Sequence, residues 1–187
     1  MSAAQAFGVV PDMILLAKTV SNGAVPLGGV IVSRAIHDTL MHGPAHLSAL
    51  MHGYTCSGHP LACAAALAML DVIAQDALLA RVQALAPHFE QAVHSLADAP
   101  GVVSIRNIGL AAGIGLAPMP GAPGRRGAEV QAAAVEAGLL TRAPGDTLVL
   151  APPFICTPGD IDRMVDLLGG AIQAQAQAHA TATGAPA

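Results

Sequence analysis

The sequence is poor in aromatic and charged residues. Of its 187 residues, 2% are aromatic, none is tryptophan and 11% are charged, whereas 53% are hydrophobic. Disordered chains combine low hydrophobicity with high charge, so this composition excludes disorder and is typical of a soluble globular protein. A chain of this length can form one domain with a sizeable core, or parts of two.

Blocks of like charge are also lacking. The net charge is −4, and the only adjacent basic pair, Arg125-Arg126, lies in a stretch rich in glycine and proline. Surfaces that bind nucleic acid or anionic lipid need clustered lysine and arginine, so neither partner is expected. The most apolar helical stretch, residues 61–73, is shorter than the roughly 20 residues that cross a bilayer. We therefore expect no membrane association.

Cysteine is scarce, and the spacing of the cysteines does not indicate disulfide pairs. Cys56, Cys63 and Cys156 form no Cys-x-x-Cys pair, and an odd number cannot make a closed set of disulfides. The sequence also starts without the basic segment and apolar core of a secretory signal. Both features favour reduced thiols in a cytoplasmic protein.

Hydrophobic patterning predicts a mixed α/β chain. Residues 12–17 form a continuous apolar run that predicts a buried parallel strand ending at Lys18. The next predicted elements are a strand at 29–33, a helix at 34–41, a long loop at 42–60 and a helix at 60–75. That last helix is apolar nearly all round, so it should be buried.

The pattern changes after residue 75, where an amphipathic helix begins. The elements predicted beyond that point are a helix at 77–96, strands at 102–105 and 111–116, a helix at 127–137, strands at 139–142 and 147–150, and a helix at 158–175. The last residues are mostly alanine, glutamine, threonine and glycine, which is typical of a frayed terminus. The sequence therefore predicts domains at residues 1–75 and 76–177, and a disordered tail at 178–187.

Lys18 is unusual because it ends an apolar strand. Burying an ammonium group costs on the order of several kcal/mol unless something compensates. Such a lysine can extend its amine to water, pair with an acid, or have its pKa lowered so that the amine becomes a nucleophile. The lysine alone leaves these three alternatives open.

Three segments resemble motifs of the class III (omega) aminotransferases. Residues 11–28, PDMILLAKTVSNGAVPLG, are similar to the family's Schiff-base segment. Residues 52–60, HGYTCSGHP, and residues 142–148, RAPGDTL, resemble its second and third motifs. Together the segments extend over nearly the whole chain, and they most resemble the omega-amino-acid:pyruvate (beta-alanine:pyruvate) aminotransferases.

The resemblance implies a fold and a function. The fold would be fold-type I of the pyridoxal-phosphate (PLP) transferases, with the end of the large, mostly parallel-sheet domain followed by the α+β C-terminal small domain. The reaction would move an amino group from an omega-amino acid or amine, such as beta-alanine, to the keto acid pyruvate through a Schiff base with pyridoxal 5′-phosphate. A non-catalytic dimerising remnant, or another class III chemistry such as an aminomutase or decarboxylase, remains an alternative.

The resemblance also implies roles for three residues. Lys18 would form the Schiff base and then move a proton during the transfer. Thr55 would reach across a homodimer interface to the phosphate of the other subunit's cofactor. Arg142 would bind the substrate carboxylate with its planar guanidinium, and would move aside for donors without a carboxylate there.

Four histidines, His42, His46, His52 and His59, raise the alternative of a metal site. The first two are four residues apart but lie in a loop, so helical spacing does not apply to them, and no thiolate or carboxylate completes a ligand set. We expect these histidines to pack and hydrogen-bond within the loop, with no metal bound. Cys56 and Cys63 are expected to be small core residues.

Other parts of the family's site lie upstream of the lysine segment. They are the acid that pairs with the pyridinium nitrogen, the aromatic that stacks on the ring and the Gly/Ser phosphate-binding segment, whereas this sequence begins a few residues before the lysine segment. Asp12 does not replace that acid, because the family's acid comes from an earlier strand. We therefore expect a fragment, a mis-assigned start, or a split enzyme whose separate N-terminal half covers the open strand edges.

Overall fold

The computed structural model describes residues 3–44, 46, 50 and 53–183. The chain divides into two compact units, Met1–Leu79 and Ala80–Ala187. This division lies just beyond residue 75, where the change of pattern predicted a domain boundary.

The first unit is built from short elements. Its described elements are α1 (Ala3–Ala6), β1 (Met13–Ala17), a 3-10 turn (Lys18–Ser21), β2 (Gly28–Val32), α2 (Arg34–Met41) and α3 (Pro60–Gln75). The bounds of α2 and α3 are those that the sequence predicts. Pro60 begins α3, where a residue without an N–H is tolerated because the first helical N–H groups have no partner within the helix.

The two strands of the first unit run in opposite directions. β1 pairs with β2 in an antiparallel register that places Leu15 opposite Val30. The sequence predicts a parallel strand at residues 12–17, whereas the pairing of this strand with β2 is antiparallel. Residues 18–27 connect the strands, and a parallel crossover needs a dozen or more residues.

Apolar side chains of the first unit remain exposed. Leu15 in β1 is 81% exposed and Leu67 in α3 is 63% exposed, and Ala62 is the buried residue of α3. The predictions that β1 and α3 are buried are therefore wrong within this chain. A two-stranded sheet offers too little surface to cover both faces of a strand and all sides of a helix. Cys56 and Cys63 are exposed as well, so they are not core residues.

The second unit contains an antiparallel three-stranded sheet with long helices. Its strands are β3 (Val102–Ile108), β4 (Ala111–Leu116) and β5 (Thr147–Leu150), in the order β3-β4-β5. Its helices are α4 (Leu78–His94), which starts at the end of the first unit, α5 (Arg125–Glu136) and α6 (Pro158–Thr183). α5 packs against α6.

The second unit has a closed hydrophobic core. Alternation along β4 places Ile114 on the buried face, where it joins Leu148 of β5. Phe89 of α4, Val130 of α5 and Leu168 of α6 complete the same core, and all are almost fully buried. The burial of Phe89 on one side of α4 agrees with the amphipathic helix that the sequence predicts there.

Two predicted features of the second unit are wrong. Residues 139–142 do not form a strand, because the Leu139 N–H donates to the Ala134 carbonyl at 2.8 Å and ends α5. A single bridge, between Arg142 and Val149, joins this segment to β5. The tail predicted from residue 178 is also corrected, because α6 continues to Thr183; residues 184–187 lie outside the described residues.

No single helix of the described part is long and apolar enough to cross a bilayer. Taken together, α3 and α4 are long and apolar enough by length and composition, but the chain bends by 59° between them.

Candidate functional site

Lys18 follows the last residue of β1 and begins the 3-10 turn. Its backbone is left-handed, with φ at +55°, which costs a non-glycine residue on the order of 1 kcal/mol. Hydrogen bonds stabilise this loop: the Gly23 N–H donates to the Lys18 carbonyl at 3.3 Å, and the buried Ser21 hydroxyl donates to the Val25 carbonyl at 2.6 Å. The loop therefore fixes the point at which the Lys18 side chain leaves the strand.

Lys18 is the only lysine in the chain. Its side chain is exposed, and no salt bridge of the described residues includes it. Of the three alternatives that the sequence leaves open, pairing with an acid is not seen among the described residues, and the exposed side chain can reach water. An accessible primary amine can attack a carbonyl carbon once it is unprotonated.

Thr55 lies in the turn that precedes α3. Tyr54 has a left-handed φ of +76°, and its carbonyl accepts the Ser57 N–H at 3.2 Å. The Tyr54 N–H donates to the Ser57 hydroxyl at 3.0 Å, so these two amides are occupied within the turn. The Thr55 side chain is exposed and forms no hydrogen bond with the residues that the structure describes. Its hydroxyl can therefore donate to an anion from outside the turn.

Arg142 begins the loop that leads into β5, residues 142–146, which we call the Arg142 loop. The Val149 N–H donates to the Arg142 carbonyl at 2.8 Å, and the Thr141 hydroxyl donates to the Val149 carbonyl at 2.7 Å. The side-chain amide of Gln131, on α5, donates to the Thr141 carbonyl at 3.2 Å. The Arg142 guanidinium is exposed and forms no salt bridge with the described residues, so it can receive a carboxylate from solution.

Asp146, the last residue of the Arg142 loop, has a role that the motif alone does not reveal. Its carboxylate accepts the Gly124 N–H at 2.6 Å and the Gly127 N–H at 3.0 Å, both at the N-terminus of α5. These two hydrogen bonds, with that of Gly124 the stronger cause, hold the pKa of Asp146 below its usual value of 3.8. The partners lie about 20 residues away in sequence, so no local pattern indicates this contact.

Arg106 and Arg142 lie in one row across the sheet of the second unit. Arg106 pairs with Gly113, Gly113 with Val149, and Val149 with Arg142. Opposite residues of antiparallel strands project from the same face, so both arginines belong to the outer face of the sheet. A groove of about 510 Å³ on that face includes Arg106 and Pro144 in its lining. The predicted strand ended at residue 105 and missed Arg106, although the strand continues to residue 108.

Arg81 holds the segment that follows β5. Its guanidinium donates to three consecutive carbonyls, those of Phe154 at 3.1 Å, Ile155 at 3.0 Å and Cys156 at 2.7 Å. Cys156 is buried, and burial raises the pKa of its thiol, which keeps this sulfur protonated and unreactive. Phe154 belongs to the sequence just beyond the third motif, so Arg81 supports that part of the chain.

The histidines show no metal-binding arrangement where the structure describes them. Among residues 3–44, 46, 50 and 53–183, no group of three or more His, Cys, Asp or Glu side chains could hold a metal ion. The His42 ring lies 2.5 Å from the Asp38 carbonyl oxygen, and His59 precedes α3 without capping it through its side chain. His52 lies outside the described residues.

The three predicted site residues are thus distributed over both units. Lys18 and Thr55 belong to the first unit and Arg142 to the second. Each has an exposed side chain, and each is positioned by backbone hydrogen bonds of its own loop.

Comparison with protein families identifies one match. Residues 1–172 match the family model described as Aminotransferase class-III. An omega-aminotransferase from Caulobacter vibrioides is 49% identical over 166 residues, which are 89% of this chain and 38% of that protein. A beta-alanine–pyruvate aminotransferase from Pseudomonas aeruginosa is 46% identical over 173 residues, which are 91% of this chain and 39% of that protein.

Solved structures show the same likeness. A structure described as the PMP-bound form of an aminotransferase from Vibrio fluvialis has a TM-score of 0.85 and 29% identity, and the match covers 92% of this chain and 39% of that one. This likeness confirms the fold class that the sequence predicts. The chain spans about two fifths of the length of these relatives, 38% and 39% for the two curated proteins.

Proposed function

The chain belongs to the class III aminotransferases, as its three motifs predict, and we propose that it forms part of a transaminase that uses pyridoxal 5′-phosphate. The reaction would transfer an amino group from an omega-amino acid or amine, such as beta-alanine, to pyruvate. The activities named for the Caulobacter and Pseudomonas aeruginosa relatives support this proposal. The observation that carries it is the exposed amine of Lys18, the only lysine, at the end of β1 in the segment that resembles the family's Schiff-base motif.

The functional groups of the described residues match those that bind this cofactor. Lys18 offers an accessible primary amine of the type that condenses with an aldehyde, and Thr55 offers an exposed hydroxyl that can donate to a phosphate oxygen. When bound, the cofactor supplies an aldehyde carbon that carries the amino group and a ring that withdraws electrons from the substrate.

Lys18 would act twice in this proposal. Its amine would first hold the cofactor, and an incoming amino donor would then free it. The freed amine would move a proton between the substrate carbon that bears the amino group and the C4′ atom of the cofactor. The fixed backbone of the loop after β1 supports this role, because proton transfer requires the amine to stay within hydrogen-bond reach.

Arg142 would bind the carboxylate of the substrate. Its guanidinium is planar and can form two parallel hydrogen bonds with a carboxylate, an arrangement that a lysine cannot reproduce. The exposed side chain and the backbone hydrogen bonds that hold residue 142 against β5 support this role.

We further propose that the protein acts as a homodimer in the cytoplasm. The exposed hydroxyl of Thr55 supports contact with the phosphate of the other subunit's cofactor, and the exposed apolar side chains of the first unit, such as Leu15 and Leu67, support burial against further polypeptide. The three free cysteines fit a reducing compartment.

The absorbance of the full chain with added pyridoxal phosphate tests the proposal. We expect a band at about 400–430 nm, typical of the cofactor bound to a lysine amine. Borohydride reduction should then attach the cofactor covalently to the peptide that contains Lys18. Lys18→Ala should lose the band and the adduct, and Lys18→Arg, which retains the positive charge, should lose them equally.

Two results would contradict this assignment. An unchanged band in Lys18→Ala would exclude Lys18 as the attachment site, and the absence of a band in the unsubstituted chain would contradict cofactor binding by this chain. Formation of alanine from pyruvate and beta-alanine would separate transamination from the aminomutase and decarboxylase alternatives.

A further inference from the structure

We propose that Asp146 is a positioning residue for Arg142, because its carboxylate attaches the Arg142 loop to the N-terminus of α5. This inference rests on the proposed function of Arg142 as the carboxylate receptor. It adds a residue that does not touch the substrate but contributes, together with the backbone hydrogen bond between Val149 and Arg142, to where the receptor lies.

The contact from Asp146 to α5 uses both carboxylate oxygens. One accepts the Gly124 N–H at 2.6 Å, and the other accepts the Gly127 N–H at 3.0 Å. The first N–H groups of a helix have no partner within the helix, and the helix dipole places a partial positive charge there. A carboxylate is therefore favoured at this position. Hydrogen bonds with one charged partner are about twice as strong as neutral ones, so this attachment is firm.

The residue at the start of α5 explains why the loop supplies the carboxylate. Helices usually begin at a serine, threonine, aspartate or asparagine whose own side chain accepts these N–H groups. In α5 that position is Gly124, which has no side chain, and no local side chain caps the helix. Asp146 supplies the missing acceptor from another part of the chain, so capping the helix also fixes the Arg142 loop.

A second glycine allows the loop to approach α5 closely. A Cβ atom at Gly127 would overlap the Gly145 carbonyl oxygen and would lie 3.0 Å from the Asp146 Cα. The loop therefore packs directly on the backbone of α5. A shift at its end must change the course of the short segment between Asp146 and Arg142.

Other hydrogen bonds keep the surrounding structure folded without this contact. The Leu116 N–H donates to the Asp146 carbonyl at 2.7 Å, and the Val149 N–H donates to the Arg142 carbonyl at 2.8 Å. These backbone bonds do not use the side chain of residue 146, and neither of them involves residues 143–145 or the Arg142 side chain. Loss of the carboxylate should therefore displace the loop from α5 while the sheet remains intact.

Binding of pyruvate to the full 187-residue chain tests this inference. Isothermal titration calorimetry measures pyruvate binding for every variant. The Arg142 guanidinium signal in a nitrogen-15 NMR spectrum, assigned with Arg142→Lys, shows whether pyruvate contacts this group in the chains that retain it. Asp146→Asn places an amide N–H against one helix N–H and should weaken pyruvate binding about tenfold, as expected for a binding group displaced by a fraction of an ångström.

Asp160 provides a matched control. Its carboxylate accepts the Thr157 N–H at 2.8 Å at the start of α6, so it also caps a helix, but it lies outside the Arg142 loop. Asp160→Asn should destabilise the second unit and leave pyruvate binding unchanged. Equal binding by Asp146→Asn and Asp160→Asn would overturn the positioning role.

The outcomes separate the inference from the proposed function. Equal pyruvate binding by Arg142→Lys and the unsubstituted chain, or no binding by the unsubstituted chain, would overturn the carboxylate role of Arg142, and the positioning role with it. If Asp146→Asn does not fold, Asp146→Glu decides, because it keeps the charge while lengthening the attachment. That variant should bind pyruvate several-fold more weakly, and binding equal to that of the unsubstituted chain would overturn the inference.

Discussion

Gly127 of α5 and Gly145 of the Arg142 loop lie so close together that no side-chain carbon fits between them. A Cβ atom at position 127 would overlap the Gly145 carbonyl oxygen, which belongs to backbone and cannot rotate away. The loop and the helix are therefore packed at the limit that backbone atoms allow.

Gly127→Ala should lower the free energy of unfolding of the second unit by about 1–3 kcal/mol, the usual cost of forcing an extra carbon into a packed site. Denaturant unfolding followed by circular dichroism measures this loss. Gly170→Ala in α6 is the matched control, because a Cβ there meets no atom within 4 Å. It should instead raise stability by about 0.5–1 kcal/mol, since alanine is the better helix former. A neutral Gly127→Ala would show that the loop can move away from α5.

Acid should weaken the second unit through two helix-capping carboxylates. The pKa of Asp146 is lowered chiefly by the Gly124 N–H, and the pKa of Asp160 chiefly by the Thr157 N–H, each from a usual value of 3.8. A folded-state pKa below the unfolded one gives stability that is complete above the unfolded value and is lost as the pH falls through the folded value. The free energy of unfolding should therefore fall as the pH drops below about 3.8.

The capping variants should flatten this pH dependence. Urea unfolding at a series of pH values should show a shallower fall for the double variant Asp146→Asn/Asp160→Asn than for the unsubstituted chain. Asp98→Asn is the control, because no helix N–H of the described residues donates to that exposed carboxylate. An identical slope in the double variant and the unsubstituted chain would contradict the capping role.

Replacement of Lys18 by glycine should be better tolerated by the fold than replacement by alanine. Both changes remove the amine, but only glycine adopts the left-handed φ of +55° without a steric cost. Lys18→Gly should therefore exceed Lys18→Ala in stability by about 1 kcal/mol. Hydrogen exchange of the β1–β2 amides measures the difference within the first unit. Equal protection in the two variants would show that the residue relaxes out of the left-handed region.

Arg81→Lys should loosen the segment after β5. The three donors of a lysine ammonium sit on one nitrogen and cannot span the carbonyls that the Nε and Nη2 atoms of Arg81 reach. The loss should amount to about 1–2 kcal/mol for this exposed side chain. Hydrogen exchange of residues 154–156 should increase. His88→Ala, which removes an exposed pair with Asp162 at 2.8 Å, should change stability by less than about 1 kcal/mol. A larger effect for His88→Ala than for Arg81→Lys would reverse this ranking.

Local signals predict much of the fold because they act within a few residues. Pro60 indicates the start of α3, and alternation indicates β4, whose core-facing residues include Ile114. Burial is different, because an apolar residue such as Leu15 indicates a preference for burial but not whether the chain supplies a surface to cover it. An apolar run likewise does not indicate the direction in which a strand pairs, and the antiparallel pairing of β1 with β2 is seen only in the structure.

The candidate site also has residues that the sequence predicts and contacts that only the structure shows. The motifs locate Lys18, Thr55 and Arg142, and the structure shows all three exposed on loops or at a strand end. The contact between Asp146 and Gly124 joins residues 22 positions apart and depends on a glycine where a capping side chain is usual. The row that joins Arg106 to Arg142 passes through two other strands, so it depends on the sheet register, which the sequence pattern does not determine.

The single, solvent-exposed lysine also makes the chain simple to label. Within these 187 residues, Lys18 is the single side-chain target of an amine-reactive probe. Mass spectrometry can therefore follow one side chain through a reaction time course. Competition between the probe and a bound aldehyde would measure the fraction of molecules in which Lys18 is occupied.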